Sequence, residues 1–208
     1  KIRTLFRPVQ PATGSGERAV SYLEFLPDAR LQDFIYCYWQ LKSETHLADA
    51  YPYRVVADGC IDIFFELNNP KENYLMGLSS SYTEFQLSNG FNYIGLRFLP
   101  TRFTQLYGIS AAELTNLCEP MEQVLPETSS FIRSNFSAEM DTAEIVNKLN
   151  DYFLNLIGKV KLKSDNRVAA AMDIILQRAG VLNIEKDLDV GISPRQLSRL
   201  FEYYTGDT

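Results

Sequence analysis

Ser193-Pro194-Arg195-Gln196-Leu197-Ser198-Arg199-Leu200-Phe201 is the stretch on which the reading of this chain turns. Ser193 is a good N-cap, and Pro194 suits the first helical position, where its fixed φ helps and its missing N–H costs nothing. From there Leu197, Leu200, Phe201 and Tyr204 recur at three- and four-residue steps and predict a buried face. Arg195, Ser198, Arg199 and Glu202 fall on the other side, a short polar stripe with two arginines. Upstream, Ile184 to Val190 predicts a very short helix, and Gly191 stands where a tight turn between helices needs a residue tolerant of positive φ. Before that, Asp165 to Ala179 places Val168, Ala169, Met172, Ile175 and Leu176 on one face, closed by Gly180. Three helices in this order form either a helix-turn-helix, for which DNA is the first partner to consider, or an ordinary helical hairpin.

The residues ahead of this unit read as strands first and helices afterwards. Residues 1–20, with Pro8, Pro11, Gly14 and Gly16, predict an irregular lead. Leu31 to Leu41 is rich in aromatics. After it come β-type runs around Tyr53–Val56, Ile61–Leu67, Tyr74–Leu78, Tyr82–Leu87 and Tyr93–Phe98. Asp58-Gly59, Asn68-Asn69-Pro70 and Ser88-Asn89-Gly90 punctuate them as turns. Short strands with regular turn signals predict a sandwich or barrel. Asp141 and Glu144 stand in the N-cap and N3 relation of a capping box, opening a helix whose stripe is Ile145, Leu149, Tyr152, Phe153, Leu156 and Ile157. That stripe needs a partner, either the chain's own β-domain or a second copy.

These residues resemble a known family. Ile192-Ser193, Arg195-Gln196-Leu197, Arg199, Phe201 and Thr205-Gly206 look like the first of the two helix-turn-helix units of AraC/XylS-type transcription regulators. Tyr38-Trp39, Ala57-Asp58-Gly59 leading into Asp62-Ile63-Phe64-Phe65, Met76-Gly77, and Tyr93-Ile94-Gly95-Leu96-Arg97-Phe98-Leu99-Pro100 look like the sensor domain of a subgroup of the same regulators, with a helix like Thr101–Leu106 after them. The resemblance spans roughly residues 22–208. It implies an α+β chain: a cupin-like β-rich barrel or sandwich with following helices, then a small all-α helix-turn-helix domain. The expected divisions are the lead at 1–20, a sensor and dimerisation domain at 21–158, a linker at 159–164, and the first helix-turn-helix unit at 165–208. The lysines Lys159, Lys161 and Lys163 suit either a hinge or a phosphate contact.

Carried over by position, the resemblance places Ser193, Arg195, Gln196, Ser198 and Arg199 on DNA. The two arginines suit bidentate contact with guanine, Ser198 could bond to several bases, and Ser193 would meet a phosphate. Asp187 departs from the family, which places a small alanine there, and so bears on the tilt of the reading helix. The implied partners are double-stranded promoter or operator DNA, a small-molecule effector, RNA polymerase and a second copy of the chain, in the cytoplasm. The family's connecting helix and second unit would follow Thr208, so this chain alone is expected to bind DNA weakly. The helix of Ile145, Leu149, Tyr152, Phe153 and Leu156 is the implied dimer element.

Charge and composition bear on these alternatives. The net charge of −6 is uneven: from Gly158 onward eight basic residues face seven acidic ones, and before it twelve face nineteen. Sequence-independent DNA affinity comes from neutralising phosphates, so a module near neutrality has little of it. With 46% apolar and 12% aromatic residues the chain is too hydrophobic for disorder. It contains no uninterrupted apolar run of membrane-spanning length. Cys37, Cys60 and Cys118 lack any CxxC spacing and read as reduced, mostly buried thiols. His46 is the sole histidine, so neither a metal centre nor a nucleophile–base pair is expected, and no catalytic residue or cofactor is assigned.

Effector-binding candidates come from charges and rings within the apolar strands. Arg54, Asp58, Asp62 and Arg97 must be paired, solvated or used. They fit ion pairs at the rim of the β-domain or a pocket lining. Tyr36, Tyr38, Trp39, Tyr51 and Tyr53 fit a pocket with ring faces and hydroxyl tips, or a core. Leu96 and Phe98 are expected on the strand face opposite Arg97.

Overall fold

The computed structural model describes residues 2–6, 8, 19–162 and 164–207. Among the described residues eight strands form: β1 (Val20–Phe25), β2 (Ile35–Ser43), β3 (Tyr51–Val55), β4 (Asp62–Glu66), β5 (Asn69–Met76), β6 (Thr83–Leu87), β7 (Asn92–Phe98) and β8 (Cys118–Pro120). Six of them make one antiparallel sheet in the order β1-β2-β7-β4-β5-β8, while β3 and β6 pair as a separate ribbon. Of the expected barrel or sandwich, antiparallel sheets followed by helices are present and a closed barrel is not shown: β1 and β8 stand at the edges of the main sheet and the ribbon lies outside its hydrogen-bond ladder. Very short β8 and the detached ribbon leave no continuous ladder to carry curvature into closure.

Alternation, interrupted by register shifts between Ile35 and Cys37 in β2 and between Phe65 and Glu66 in β4, assigns the two faces of the sheet. Tyr38, Ile63, Phe65, Leu75, Ile94, Leu96 and Phe98 point to one side and join the largest hydrophobic core. Trp39, Leu41, Phe64 and Tyr93 point to the other, where the ribbon's Tyr53 and Val55 meet them. The first face is covered by helices, among them α2 (Arg102–Tyr107), α3 (Met121–Val124), α4 (Pro126–Asn135) and α5 (Thr142–Lys159). A short helix, α1 (Ile2–Leu5), and the edge strand β1 stand within or just after a lead expected to be irregular. The rest of that lead, residues 9–18, lies outside the described residues.

Helix α5 begins as expected, with the Asp141 side chain accepting from the Glu144 amide and Glu144 answering the Asp141 amide. Its stripe is spent on the chain's own sheet. Ile145, Leu149 and Phe153 are buried in the core beside Phe65, Leu96 and Phe98. Burying side chains of this size contributes roughly 1.5–3 kcal/mol each, so these three are not available to a second copy. Tyr152 and Leu156 are half-buried against the same core, with Tyr152 stacked on Phe131 of α4. The expected dimer helix is therefore an internal packing element along most of its stripe.

After α5, α6 (Asn166–Gln177), α7 (Ile184–Asp187) and α8 (Pro194–Thr205) form a three-helix unit. Asp165 caps α6 by accepting from the Arg167 amide, and Gly180 and Gly191 take the positive φ values expected of them. The unit has two small cores: Ala171, Leu188 and Leu197 in one, Val168, Met172 and Tyr204 in the other. Ala169, expected inside, is exposed, and Ala171 takes the buried place two residues on. The departure at Asp187 has a local reason: its carboxylate pairs with Arg178 at 2.7 Å and accepts from the Asn183 amide. Of the expected linker, Lys163 lies outside the described residues.

The unit is docked on the rest of the chain by the C-terminal end of α8. Tyr203 Oη donates to the Gly108 carbonyl at 3.2 Å, and Thr115 Oγ1 donates to the Gly206 carbonyl at 2.8 Å. Gly206 has φ +93°, and a Cβ there would stand 2.7 Å from Thr115 Oγ1 and 3.3 Å from Leu78 Cβ. Only a glycine fits both that backbone and that approach.

Candidate functional site

Between the ribbon and the sheet lies a cavity of about 330 Å³. That size is at the small end of the range for small-molecule sites. The strand period builds its wall. Trp39 and Leu41 come from β2, Asp62 and Phe64 from β4, Tyr74 and Met76 from β5, Tyr93 and Arg97 from β7, and Val55, Phe85 and Leu87 from the ribbon. The pairs from β2, β4 and β5 are two residues apart and Tyr93 and Arg97 four apart, so each of these strands turns one face to the cavity. Gly95, between Tyr93 and Arg97, is part of the design: a Cβ there would run into the Trp39 indole.

The wall is mainly apolar; its charged part is one ion pair, and Gln86 of the ribbon adds a neutral polar group. Arg97 donates from Nε to Asp62 Oδ1 at 3.1 Å and from Nη2 to Asp62 Oδ2 at 2.9 Å, while the Trp39 indole N–H donates to the same Oδ2 at 3.2 Å. The Asp58 carboxylate stands 3.5 Å from Arg97 Nε, and its other oxygen accepts from the Cys60 amide. The Arg97 side chain is 4% exposed and its Nη1 has no acceptor among the described residues. Burial opposes the Arg97 charge, but Asp62 and Asp58 outweigh it and hold the guanidinium above its ordinary pKa. Burial pushes the Asp62 carboxyl up, with Arg97 pulling it back. Burial likewise raises the Tyr53 phenol, and it pushes Tyr93 to about 12, so both rings present neutral hydroxyls.

The expected effector residues separate by strand parity. Trp39, Tyr53 and Arg97 line the cavity. Asp58 stands behind Arg97 beside a second void of about 10 Å³. Tyr38 points to the opposite face of β2, where its hydroxyl donates to Asn150 of α5 at 3.0 Å. Arg54 points to solvent and pairs with Glu84 across the ribbon at 2.8 Å. Tyr36 packs edge-on against Phe6, with the Arg3 guanidinium over its ring, and Tyr51 stacks near Phe91. Tyr36, Tyr38 and Arg54 are thus outside the cavity wall. Phe64, Tyr74, Phe85 and Tyr93 were not singled out from the sequence. Their signal was present in the two-residue spacing of Asp62-x-Phe64 and Tyr93-x-Gly95-x-Arg97, which ties them to the face of a known candidate.

On α8 the exposed face carries Arg195, Gln196, Ser198 and Arg199, and Ser193 is exposed at its start. Ser193 and Gln196 are engaged with each other in a capping box: the Ser193 hydroxyl accepts from the Gln196 amide, and the Gln196 side chain accepts from the Ser193 amide. Arg195, Ser198 and Arg199 lie on the side away from Leu197 and Tyr204, which are buried. Phe201, expected in the core, is only half-buried.

Cys37 and Cys60 are buried free thiols, and Cys118 is exposed at the sheet edge, where it also borders the cavity. Among the described residues no cluster of three or more His, Cys, Asp or Glu could hold a metal ion, and no helix is long and apolar enough to cross a membrane.

The chain is thus a mixed α+β protein: an antiparallel sheet with helices on one face, a β-ribbon on the other with a small cavity between ribbon and sheet, and a three-helix unit after it. Within it, residues 23–120, just under half of the chain, match the family described as a domain of unknown function (DUF6597). The match covers β2 to β8 and so contains the whole cavity wall. No curated protein and no solved structure matches the chain.

Proposed function

We propose that the chain belongs to a sequence-specific DNA-binding regulator of the AraC type, with the cavity as its effector site and α8 as its reading helix. The observation that carries this is the solvent-facing stripe Arg195, Ser198 and Arg199 on a helix held from behind by Leu197 and Tyr204. Two arginines one turn apart can each engage guanine O6 and N7, and Ser193 and Gln196 fix the start of the helix that presents them. The near-neutral charge of this part of the chain makes tight binding depend on further contacts, from a second reading unit or a second copy.

Genome-wide footprinting of the full gene product, beside its Arg195→Ala/Arg199→Ala variant, tests the reading. Discrete protected sites that the variant loses are expected, each arginine contributing about 1–3 kcal/mol at its site. Protection unchanged by the double substitution removes α8 as the reading helix.

A second reading, a ligand-binding scaffold whose helical tail makes protein contacts, is favoured by the docking of α8 at Gly108 and Thr115. Salt separates the two. DNA binding falls steeply with salt in proportion to the phosphates contacted. Contacts through exposed arginines at a protein rim respond weakly.

A further inference from the structure

Strand register sets a row of rings along one side of the cavity. Trp39, Gly95, Phe64 and Tyr74 are successive cross-strand partners from β2 to β5. Gly95 has no side chain, and the Trp39 indole occupies the space that one would fill. It thereby comes within 6.1 Å of Phe64, which lies 5.4 Å from Tyr74, with the planes 34° and 29° from parallel. Tyr93 stands against Phe64 at 72°, and Tyr53 and Phe85 close the side made by the ribbon. The face of an aromatic ring is the negative end of its quadrupole, and several rings set at different angles around one space suit a cation.

The fixed charges point the same way. Arg97, the one cation among the described lining residues, meets two carboxylates: Asp62 through two hydrogen bonds, and Asp58 at 3.5 Å. This cluster carries one negative charge more than it balances. Glu66, opposite Tyr93 in the β4–β7 ladder, is a buried carboxylate that accepts from the Asn68 and Asn92 amides and has no cation beside it among the described residues. Burial, and after it Glu66 and Glu72, push up the Tyr93 phenol, as a negative field requires. An anion in the cavity would meet this field with no unmatched positive charge to hold it, whereas a cation is attracted by it through a medium of low dielectric.

We propose that the cavity binds an organic cation, an ammonium group carrying alkyl or aryl substituents, with its charge against the row of Trp39, Phe64 and Tyr74. An apolar cavity of about 150 Å³ takes up benzene. At about 330 Å³ this one has room for a phenyl ring and a trimethylammonium group together. Gln86, whose side-chain amide donates to Glu84, keeps its carbonyl oxygen as an acceptor for any N–H the cation carries. This deepens the effector half of the proposed function and rests on that reading only in calling the cation an effector.

Trp39 is the sole tryptophan of the chain and part of the wall, so its emission reports on occupancy. Three probes of similar size isolate the charge: phenyltrimethylammonium, tert-butylbenzene, which is its uncharged carbon counterpart, and benzenesulfonate, an anion. The ammonium is expected to move Trp39 emission saturably and to bind about tenfold tighter than tert-butylbenzene, the difference a desolvated contact between a cation and aromatic rings makes. Benzenesulfonate is expected to bind weakest.

Asp58→Asn keeps an acceptor for the Cys60 amide and removes the excess charge, and should lower the ammonium-to-hydrocarbon ratio about threefold or more. Phe85→Leu keeps apolar bulk on the ribbon but removes a ring face. It should weaken the ammonium about threefold and the hydrocarbon by less than about twofold. Leu87→Phe, or Val55→Phe if the first does not fold, fills the cavity and should weaken both at least about tenfold at an unchanged melting temperature. The proposal is overturned if no probe moves Trp39, if tert-butylbenzene or benzenesulfonate binds as tightly as the ammonium, or if a filling variant that remains folded binds the ammonium as the parent does. A ratio unchanged in Asp58→Asn and Phe85→Leu alike also overturns it. Because none of these titrations contains DNA, the ligand class stands or falls separately from footprinting.

Discussion

Arg97 is the residue on which most of the site depends. It is buried, doubly bonded to Asp62 and flanked by Asp58. Removing one member of a buried pair leaves the other charge uncompensated, which commonly costs 3–5 kcal/mol. Since Asp58 remains beside the guanidinium, Asp62→Ala is expected near the lower end, about 3 kcal/mol, read as a lowered urea midpoint with the slope unchanged. Gly95→Ala tests the close approach on the same face. The indole must move, so a loss of about 1–3 kcal/mol with a red-shifted Trp39 emission is expected. A Gly95→Ala variant with native emission and stability would mean that the sheet absorbs the extra methyl elsewhere. Leu197 and Phe201 provide a contrast on α8. Leu197 is 4% exposed and its loss to alanine should cost about 2–5 kcal/mol, whereas half-buried Phe201 should cost about 1–3 kcal/mol. Equal effects, or a larger one at Phe201, would contradict the packing described.

At the scale of elements, caps and parity were the most legible features. Ser193, Asp165 and Asp141 all cap helices, because a short side-chain oxygen ahead of an apolar periodic run has few better uses than the free amides of the first turn. Asp165 also carries a pH signature. Its hydrogen bonds from Arg167 lower its carboxyl to about 2 in the folded chain, against an ordinary value of 3.8. Between those values the unfolded state binds more protons, so the stabilisation is complete above about pH 4 and is lost as pH falls toward 2. Asp165→Asn should flatten that part of the pH profile of α6 amide protection, measured by hydrogen exchange, and Asp165→Ala should cost about 1 kcal/mol through the lost cap. An identical profile in Asp165→Asn would show that another group governs the acid limb.

Strand positions were legible but strand partners were not. Leu96 and Phe98 face away from Arg97 as the period of two requires, and Tyr38 and Trp39 diverge for the same reason. Parity alone cannot say which face carries the cavity. That depends on the β3–β6 ribbon leaving the main ladder and covering Trp39, Phe64 and Tyr93.

Across the whole molecule, the cavity and the three-helix unit are joined by a short path. Met76 lines the cavity, Gly77 packs against the Leu114 carbonyl, and Leu78 abuts Gly206 at the end of α8. Gly206→Val would place a branched side chain against Thr115 and Leu78 in a backbone region that favours glycine. It is expected to undock the unit, with raised hydrogen exchange in α2 and residues 111–117 while the sheet amides remain protected. Unchanged exchange in those segments would mean that the contact at Gly206 does not hold the unit in place.

The local elements of this protein were written in its residues: the capped helices, the period-two strands, the positive-φ glycines and the polar stripe of α8. These follow from backbone sterics, free amides and side-chain polarity over a few neighbouring residues, all of which act before distant segments meet. Long-range packing set the rest: the sheet stays open, the α5 stripe is consumed internally, and Arg97 meets Asp62 and Asp58 under a ribbon of rings. Those outcomes depend on which surfaces exclude water together, and segments far apart in the chain compete for the same apolar face. Charge pairing across that distance is set by the pairing of β4 with β7, which places Asp62 opposite Arg97.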